Sequence, residues 1–519
     1  MPRPESNRWN ATQTWLLIAC LLVAALGARP YAGGWNDGSR LAAIEAIVDR
    51  HSLHIEGSVF VDVPRSLVEA GHAPYADWDT GNNSFGTRDK LLIGGHYYSD
   101  KPVLISLLMA VPYQLWQWVG GPSFAQRPDL VCWFLTFCAS GFAFAIAAIA
   151  LYRIGGLFGF DERLRLGLTL TFAFGSIALA YTRHVNNHIV LAGVFAALLL
   201  NLVRLNENRG RIWRLIVIGL LAGIGFNLDL GLAPALIACL FGYLAFRAPS
   251  PPGWGEGGSD PARDRLVLHG ALPPSPPAPL PRSTGGEGSK RRLSPWTRNL
   301  MDLAIVALAA TPWIGGQLAI NHAIGGTLKP MNMVPEYSQW PGCPFNPANM
   351  TGVAQQPAGD KIVYILSLGF GKHGFLQYTV PLLLVVPAVV LLLRRRFTIP
   401  AELTFALIWS LLGGLMYGML SNNHGGACCS IRWFVPFLVP CLLLLGCLQQ
   451  QLPEYRGDFR LLAGWGVLLA IALWWVGPFP LRMNPAYWPI QGAALLSWGI
   501  HRWHGVGELR WKWLAARAK

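Results

Sequence analysis

Charge is what this chain has least of: 13% of its 519 residues are Asp, Glu, Lys or Arg, against 53% hydrophobic. A soluble globular protein carries about 25% charged residues, so the low share excludes that class and leaves the bilayer as the solvent that fits. The nine Cys contain no CxxC or Cys/His zinc spacing, which speaks against a structural metal site. No internal repeat is visible, which weakens the case for a transporter assembled from duplicated halves. A Lys/Arg stripe interleaved with aromatics is missing too, so the net charge of +14 does not imply a nucleic-acid partner. The basic residues sit instead in short clusters between apolar runs, where positive charge orients membrane helices.

What the chain has in quantity is apolar runs. About 20 mostly apolar residues cross the hydrocarbon core. Runs near that length lie at 14–28, 130–151, 165–182, 188–203, 215–229, 232–246, 300–320, 376–393, 402–420, 433–450 and 461–478, with a weaker one at 487–502. The expected fold is all-α: a polytopic membrane protein of about 11–12 transmembrane helices. The first run reads either as a span or as a signal peptide, since a basic flank precedes it and Ala24, Ala25, Gly27 and Ala28 end it. Either way, residue 29 onward emerges outside. The 22 Trp fit the headgroup level, where an amphipathic ring is favoured.

Segment 102–119 is apolar enough to span, but Pro112 breaks it and Trp116 and Trp118 edge it. If it lies flat on the outer face, the clusters at 152–165, 204–214 and Arg394-Arg395-Arg396 all fall inside, as the positive-inside rule prefers. It is therefore expected as an interfacial helix. The chain then divides into an N-terminal membrane half, 1–247, a linker, 248–299, and a C-terminal membrane half, 300–519. The large first outer loop, 29–129, belongs to the first half and carries juxtamembrane helices; outer loops 321–375 and 421–432 belong to the second. Pro, Gly and Ser dominate the linker, which cannot bury enough apolar surface to offset chain entropy and should be disordered on the cytoplasmic side.

On this topology the polar residues gather in outer segments: Trp35-Asn36-Asp37-Gly38-Ser39-Arg40, Tyr98-Ser99-Asp100-Lys101-Pro102, Arg183-His184 through His188, Lys372-His373, and Asn422-Asn423-His424-Gly425-Gly426 leading to Arg432. An acid, several cations and several His on one face suit chemistry on an anionic, lipid-linked substrate. A carboxylate takes a proton, and cations hold phosphate.

These motifs resemble the GT-C class of membrane glycosyltransferases, most nearly the branch of the lipid A aminoarabinose transferase and the protein O-mannosyltransferases. In place of an Asp-Glu-x-Arg-Tyr motif stands Asp37-Gly38-Ser39-Arg40-Leu41, and in place of Lys-Pro-Pro-Leu stands Lys101-Pro102-Val103-Leu104. The stretch from Gly425 to Arg432 is similar to the Gly-rich turn and Arg before a late helix in bacterial relatives. Gly38 and Val103 depart from the motifs, so neither the subfamily nor a metal requirement carries over. The resemblance implies transfer of a sugar from a polyprenyl-phosphate carrier to a lipid, glycan or protein acceptor at the non-cytoplasmic face, with inversion. It further implies a bacterial inner-membrane location with the site facing outward.

Asp37 is the expected catalytic base, with a helix N-cap as its bland alternative. Lys101, Arg432, Arg40, Asp100, Arg183, His184, His188 and His424 are expected to bind substrate. Lys101 could equally snorkel, Asp100 could be its ion-pair partner, and Arg183 and His184 could anchor the interface. Asp229, near the end of a membrane run, is a further functional candidate. No spacing names a metal or a cofactor. Cys343 is expected to pair with Cys428 or Cys429 if the outside is oxidising. A transporter or flippase of a lipid-linked or anionic substrate, or a glycan polymerase or ligase, remains the alternative function. The first would place charge at mid-membrane, and the second would place its largest outer loop late in the chain.

Overall fold

The computed structural model describes residues 9–76, 86–205, 211–247, 294–350, 358–426, 428–479 and 487–517. The chain is an all-α polytopic membrane protein. Among the described residues seven helices are long and apolar enough to cross a bilayer: Pro128–Leu157, Asn187–Arg204, Arg211–Leu228, Trp296–Gly325, Ala401–Leu420, Arg432–Gln451 and Tyr455–Val476. Shorter apolar helices lie at Ala11–Gly27, Val103–Trp118, Ala233–Phe246 and Val380–Leu393.

The helix starts follow from local chemistry. Asn10 and Gln13 form a reciprocal capping box at the first helix. Asn186 Oδ1 accepts from the His188 N–H at 2.9 Å to start Asn187–Arg204. Ser294 caps the helix whose first residue is Pro295, and Gly326, at φ 65°, ends it in the left-handed region. That helix begins before the expected linker boundary at 299; residues 248–293 lie outside the described ones.

Helix Arg432–Gln451 is buried almost all round, whereas Trp296–Gly325 exposes Leu300, Met301 and Leu308. Such outward apolar faces suit lipid, because every backbone group is already bonded within the helix. Helices 187–204 and 128–157 cross so closely that a Cβ on Gly193 would lie 2.5 Å from the Ala143 carbonyl oxygen. Small residues at such crossings let backbones approach and gain dispersion contact.

Two expected spans are broken. Segment 165–182 is helical over Glu162–Phe174 and again over Ala178–Tyr181. Ser176 Oγ donates back to the Phe172 carbonyl at 2.6 Å and accepts from the Ala178 N–H, replacing helical bonds in between. Segment 376–393 is broken after Phe375–Tyr378, where Pro381 supplies no N–H and a 3-10 turn intervenes. The two breaks meet: the Ile177 N–H donates to Thr379 Oγ1 at 3.4 Å.

A second, smaller core gathers residues of the 29–129 segment, including Leu41, Ile44, Phe60, Tyr75, Tyr113 and Phe124. Helix α2, Trp35–Asp49, packs there against Val103–Trp118, and Tyr113 Oη donates to Asp49 Oδ2 at 2.8 Å. An antiparallel hairpin, β1 (Lys90–Ile93) and β2 (His96–Ser99), is the one sheet among the described residues.

Candidate active site

A cavity of roughly 630 Å³ opens where this smaller core meets the bundle. The start of α2 supplies Asp37 and Arg40, the open end of the hairpin supplies Asp89, Lys90, Asp100 and Lys101, and the bundle supplies His188, Asp229, Tyr417 and Arg432. Of the residues expected from sequence, Asp37, Arg40, Asp100, Lys101, His188 and Arg432 line it together.

Asp37 sits in the first turn of α2. Its Oδ2 accepts from the Gly33 N–H at 2.6 Å and its Oδ1 from the Gly34 N–H at 2.9 Å. The capping geometry is therefore real, and it fixes the carboxylate at the cavity wall while leaving one lone pair on each oxygen. Burial pushes its pKa up to about 6, against the lowering effect of those N–H donors and Arg40. His184 does not line the cavity; it lies behind Asp37, with Nδ1 3.6 Å from Oδ2. Burial, with Arg29 nearby, pulls the imidazole down to about 3, so the neighbour of Asp37 is a neutral ring and not a counter-ion. Gly33 has to be small there, since a Cβ would come within 2.7 Å of that ring. Gly38, one of the two residues that depart from the motifs this chain resembles, is explained in the same way: a Cβ would collide with Tyr75 Oη, which donates to the Phe60 carbonyl.

Lys101 is fully engaged. Its Nζ lies 2.9 Å from Asp89 Oδ2 and 2.6 Å from Asp100 Oδ2. Ser39 Oγ ties the group down, contacting Ser99 Oγ at 2.7 Å and the Asp89 carbonyl at 2.6 Å. Burial raises the Asp100 pKa, with Lys101 opposing.

Arg432 is different. Its Nε is shut off from solvent with no hydrogen-bond partner, and the side chain makes no ion pair among the described residues. The Gly425-Gly426 turn, with φ of 87° and 83°, lets the preceding loop close over it, since a Cβ on Gly425 would lie 3.1 Å from Arg432 Cγ. Arg40 holds the Asn36 carbonyl at 3.0 Å and has no carboxylate at ion-pair distance among the described residues. Burial lowers its pKa to about 10, which leaves it charged at neutral pH.

Across the cavity Tyr417 Oη donates to Asp229 Oδ1 at 2.6 Å, and His188 Nδ1 lies 3.1 Å from Asp229 Oδ2. Tyr417 stacks on Trp433 at 4.1 Å. Arg183 and His424 do not line the cavity. Arg183 bonds the Trp474 and Trp475 carbonyls at the end of helix 455–476, where a cation meets the negative end of the helix dipole. His424 contacts Ser367 Oγ at 2.9 Å and stacks on His373. Asp89, Lys90 and Tyr417 escaped the sequence reading, because only the hairpin and the bundle packing bring them to this wall. Cys343, Cys428 and Cys429 are each unpaired. Cys343 neighbours Arg88, Asp89 and Lys90, while Cys428 Sγ donates to the Ser430 carbonyl at 2.8 Å, so the expected disulfide is not formed.

Beside this polar cavity lies an apolar one of roughly 290 Å³, walled by Ile105, Leu108, Phe142, Val190 and Leu221 among others. Arg40, Asn187 and Leu228 line both.

No protein-family model matches the chain, and no curated protein matches it. Among solved structures it is similar to ArnT from Cupriavidus metallidurans bound to undecaprenyl phosphate, at 11% identity and a TM-score of 0.46 over 89% of this chain and 70% of that one. It is similar to apo ArnT from the same organism, at 14% identity and a TM-score of 0.41 over 89% of this chain and 71% of that one. It is also similar to the apo oligosaccharyltransferase of Archaeoglobus fulgidus, at 14% identity and a TM-score of 0.42 over 94% of this chain and 56% of that one.

Proposed function

We propose that the chain transfers a sugar from a polyprenyl-phosphate carrier to an acceptor hydroxyl at the non-cytoplasmic face of a membrane, with inversion. The observation that carries this reading is the adjacency of the two cavities, which share Arg40, Asn187 and Leu228, with Arg432, whose Nε has no hydrogen-bond partner among the described residues, in the polar one. A substrate with an anionic head and a long apolar tail is the kind that such a pair accommodates. The head meets Arg432 and Arg40, and the tail follows the apolar wall between helices 103–118, 128–157, 187–204 and 211–228.

In the step itself, the acceptor oxygen forms a bond to the anomeric carbon as its proton passes to Asp37. The bond from that carbon to the phosphate oxygen breaks, and the electron pair leaves with the phosphate. Negative charge grows on that oxygen in a site of low dielectric, where fixed guanidinium groups stabilise it most. Attack from the face opposite the leaving phosphate inverts the anomeric centre. Lys101, its charge balanced by Asp89 and Asp100, holds the wall in shape and is a weaker phosphate partner than Arg432. A transporter would want charge at mid-bundle, and here the cavity's His188, Asp229 and Arg432 sit at or next to helix ends.

The test is native mass spectrometry of the detergent-purified chain with added polyprenyl phosphate. Wild type should retain one lipid, Arg432→Ala should lose at least ten-fold in affinity, and Arg432→Lys should recover only part of it, because a point charge does not reproduce the guanidinium fork. Equal retention by wild type and Arg432→Ala contradicts the assignment.

A further inference from the structure

Toward the tip of the hairpin, at residues that do not themselves line the cavity, three metal-donor side chains converge. The turn of the hairpin, Gly94-Gly95, has φ of 59° and 85°, which suits Gly, and it pairs Ile93 with His96 at the tip. The chain at 54–55 runs beside β2 as a short third strand: His54 bridges to Tyr98, and the Ile55 N–H donates to the Tyr97 carbonyl at 2.9 Å. That register puts His54 and His96 face to face, with ring centroids 4.0 Å apart and 17° between planes. Glu56 follows, held by the Tyr97 N–H on Oε1. Its Oε1 lies 3.5 Å from His96 Nδ1.

We propose that His54, Glu56 and His96 form a binding site for a divalent transition metal of the zinc type, which pins the hairpin tip to the 54–56 segment. One donor atom from each residue lies within 4.8 Å of the other two, and among the described residues this is the one such group of His, Cys, Asp or Glu. A second observation points independently to a cation. Glu56 Oε2 is cut off from solvent and has no hydrogen-bond partner, although the side chain as a whole is about a third exposed. A buried carboxylate oxygen without a donor is costly, and a metal ion is one of the few partners that fit beside two imidazoles.

The donor chemistry selects the metal. Two imidazole nitrogens and one carboxylate oxygen suit zinc, whereas calcium and magnesium take oxygen donors alone. With each donor at about 2.0–2.2 Å from the ion, tetrahedral geometry needs the donors roughly 3.4 Å apart. The donors lie within 4.8 Å of one another, so binding requires the side chains to turn and draw together around the ion. The fourth position faces solvent, since the His96 side chain is half exposed, and water fills it.

Along the hairpin the site lies three residues from Lys90, roughly 10 Å at strand spacing. None of the three side chains lines the cavity, so the ion is placed as a structural one. Its effect is positional: it fixes the tip of a hairpin whose open end carries Asp89, Asp100 and Lys101 at the cavity wall.

The experiment uses the full chain, free of any histidine tag, stripped with chelator and desalted after equilibration with zinc chloride. Elemental analysis should find one zinc per wild-type chain. His96→Ala, at the exposed tip, should retain none while keeping the wild-type elution profile. Glu56→Gln should weaken binding at least ten-fold. His96→Cys should hold zinc again, and its cobalt form should show the thiolate charge-transfer band that wild-type cobalt protein lacks. A wild-type chain that retains no zinc, or a His96→Ala chain that retains as much as wild type, overturns the proposal.

Discussion

Asp37 gives the account its sharpest quantitative consequence, because its pKa and its role predict opposite responses to acid. Burial raises the carboxyl from 3.8 to about 6. A base must be ionised to work, so the ionised fraction is about 0.9 at pH 7 and about 0.1 at pH 5, and transfer should fall roughly ten-fold across that interval. A carboxyl at its ordinary value would lose less than about a tenth of its activity over the same range. Stability moves the other way. A carboxyl whose pKa is higher folded than unfolded penalises the fold as pH rises from about 4 through 6, so acidification removes that penalty. Acid loss of transfer caused by Asp37 should therefore appear without loss of thermal stability from this group. Asp37→Asn should lower transfer about 100-fold or more. It should also cost about 0.5–1.5 kcal/mol of stability for the one hydrogen bond lost, since an amide has one acceptor oxygen for two N–H groups. The assay is initial transfer rate from a synthetic polyprenyl-phosphate sugar in proteoliposomes between pH 4.5 and 8, with melting curves on the same samples. Near wild-type transfer by the Asn variant, inserted normally, would leave Asp37 a helix cap and move the search for the base to the Asp229 and His188 pair.

Lys101→Ala leaves Asp89 and Asp100 facing each other without their shared cation, and thermal unfolding of the purified chain should show a loss of about 3–5 kcal/mol, partly restored by adding Asp89→Asn; a Lys101→Ala chain as stable as wild type would contradict the pairing. Gly38→Ala should cost about 1–3 kcal/mol through overpacking against Tyr75 Oη, with partial relief in Tyr75→Phe, both read from melting curves. Reporters fused after Arg50 or Gly426 should read outside and those within 255–285 or after Arg396 inside; an outward 255–285 reporter would reverse the proposed orientation.

The bundle was legible where apolar runs are long and their ends polar. Run 188–203 lies within the helix Asn187–Arg204, 402–420 within Ala401–Leu420, and 433–450 within Arg432–Gln451. In such runs the backbone has no alternative partner in lipid, so composition decides the element. Runs 165–182 and 376–393 misled because hydropathy is blind to Ser176 bonding back to Phe172 and to the N–H that Pro381 lacks. At the site, Asp37 and Arg432 were readable from their places next to spans. The engagement of Lys101 was not: Asp100 is its neighbour in sequence, but Asp89 reaches it only because Lys90 pairs with Ser99 across the hairpin. Gly38 read as a departure from a motif, and its cause, Tyr75, lies 37 residues on and arrives only by packing.

The central claim is that this chain consumes a lipid-phosphate sugar. The most direct test is a mass profile of polyprenyl-phosphate-linked sugars and envelope glycans from cells with the protein, without it, and with Asp37→Asn. The account predicts that one lipid-linked sugar accumulates and one glycan modification disappears, identically, in the last two. Unchanged glycans with an altered distribution of the same lipid between leaflets would contradict it and favour a flippase.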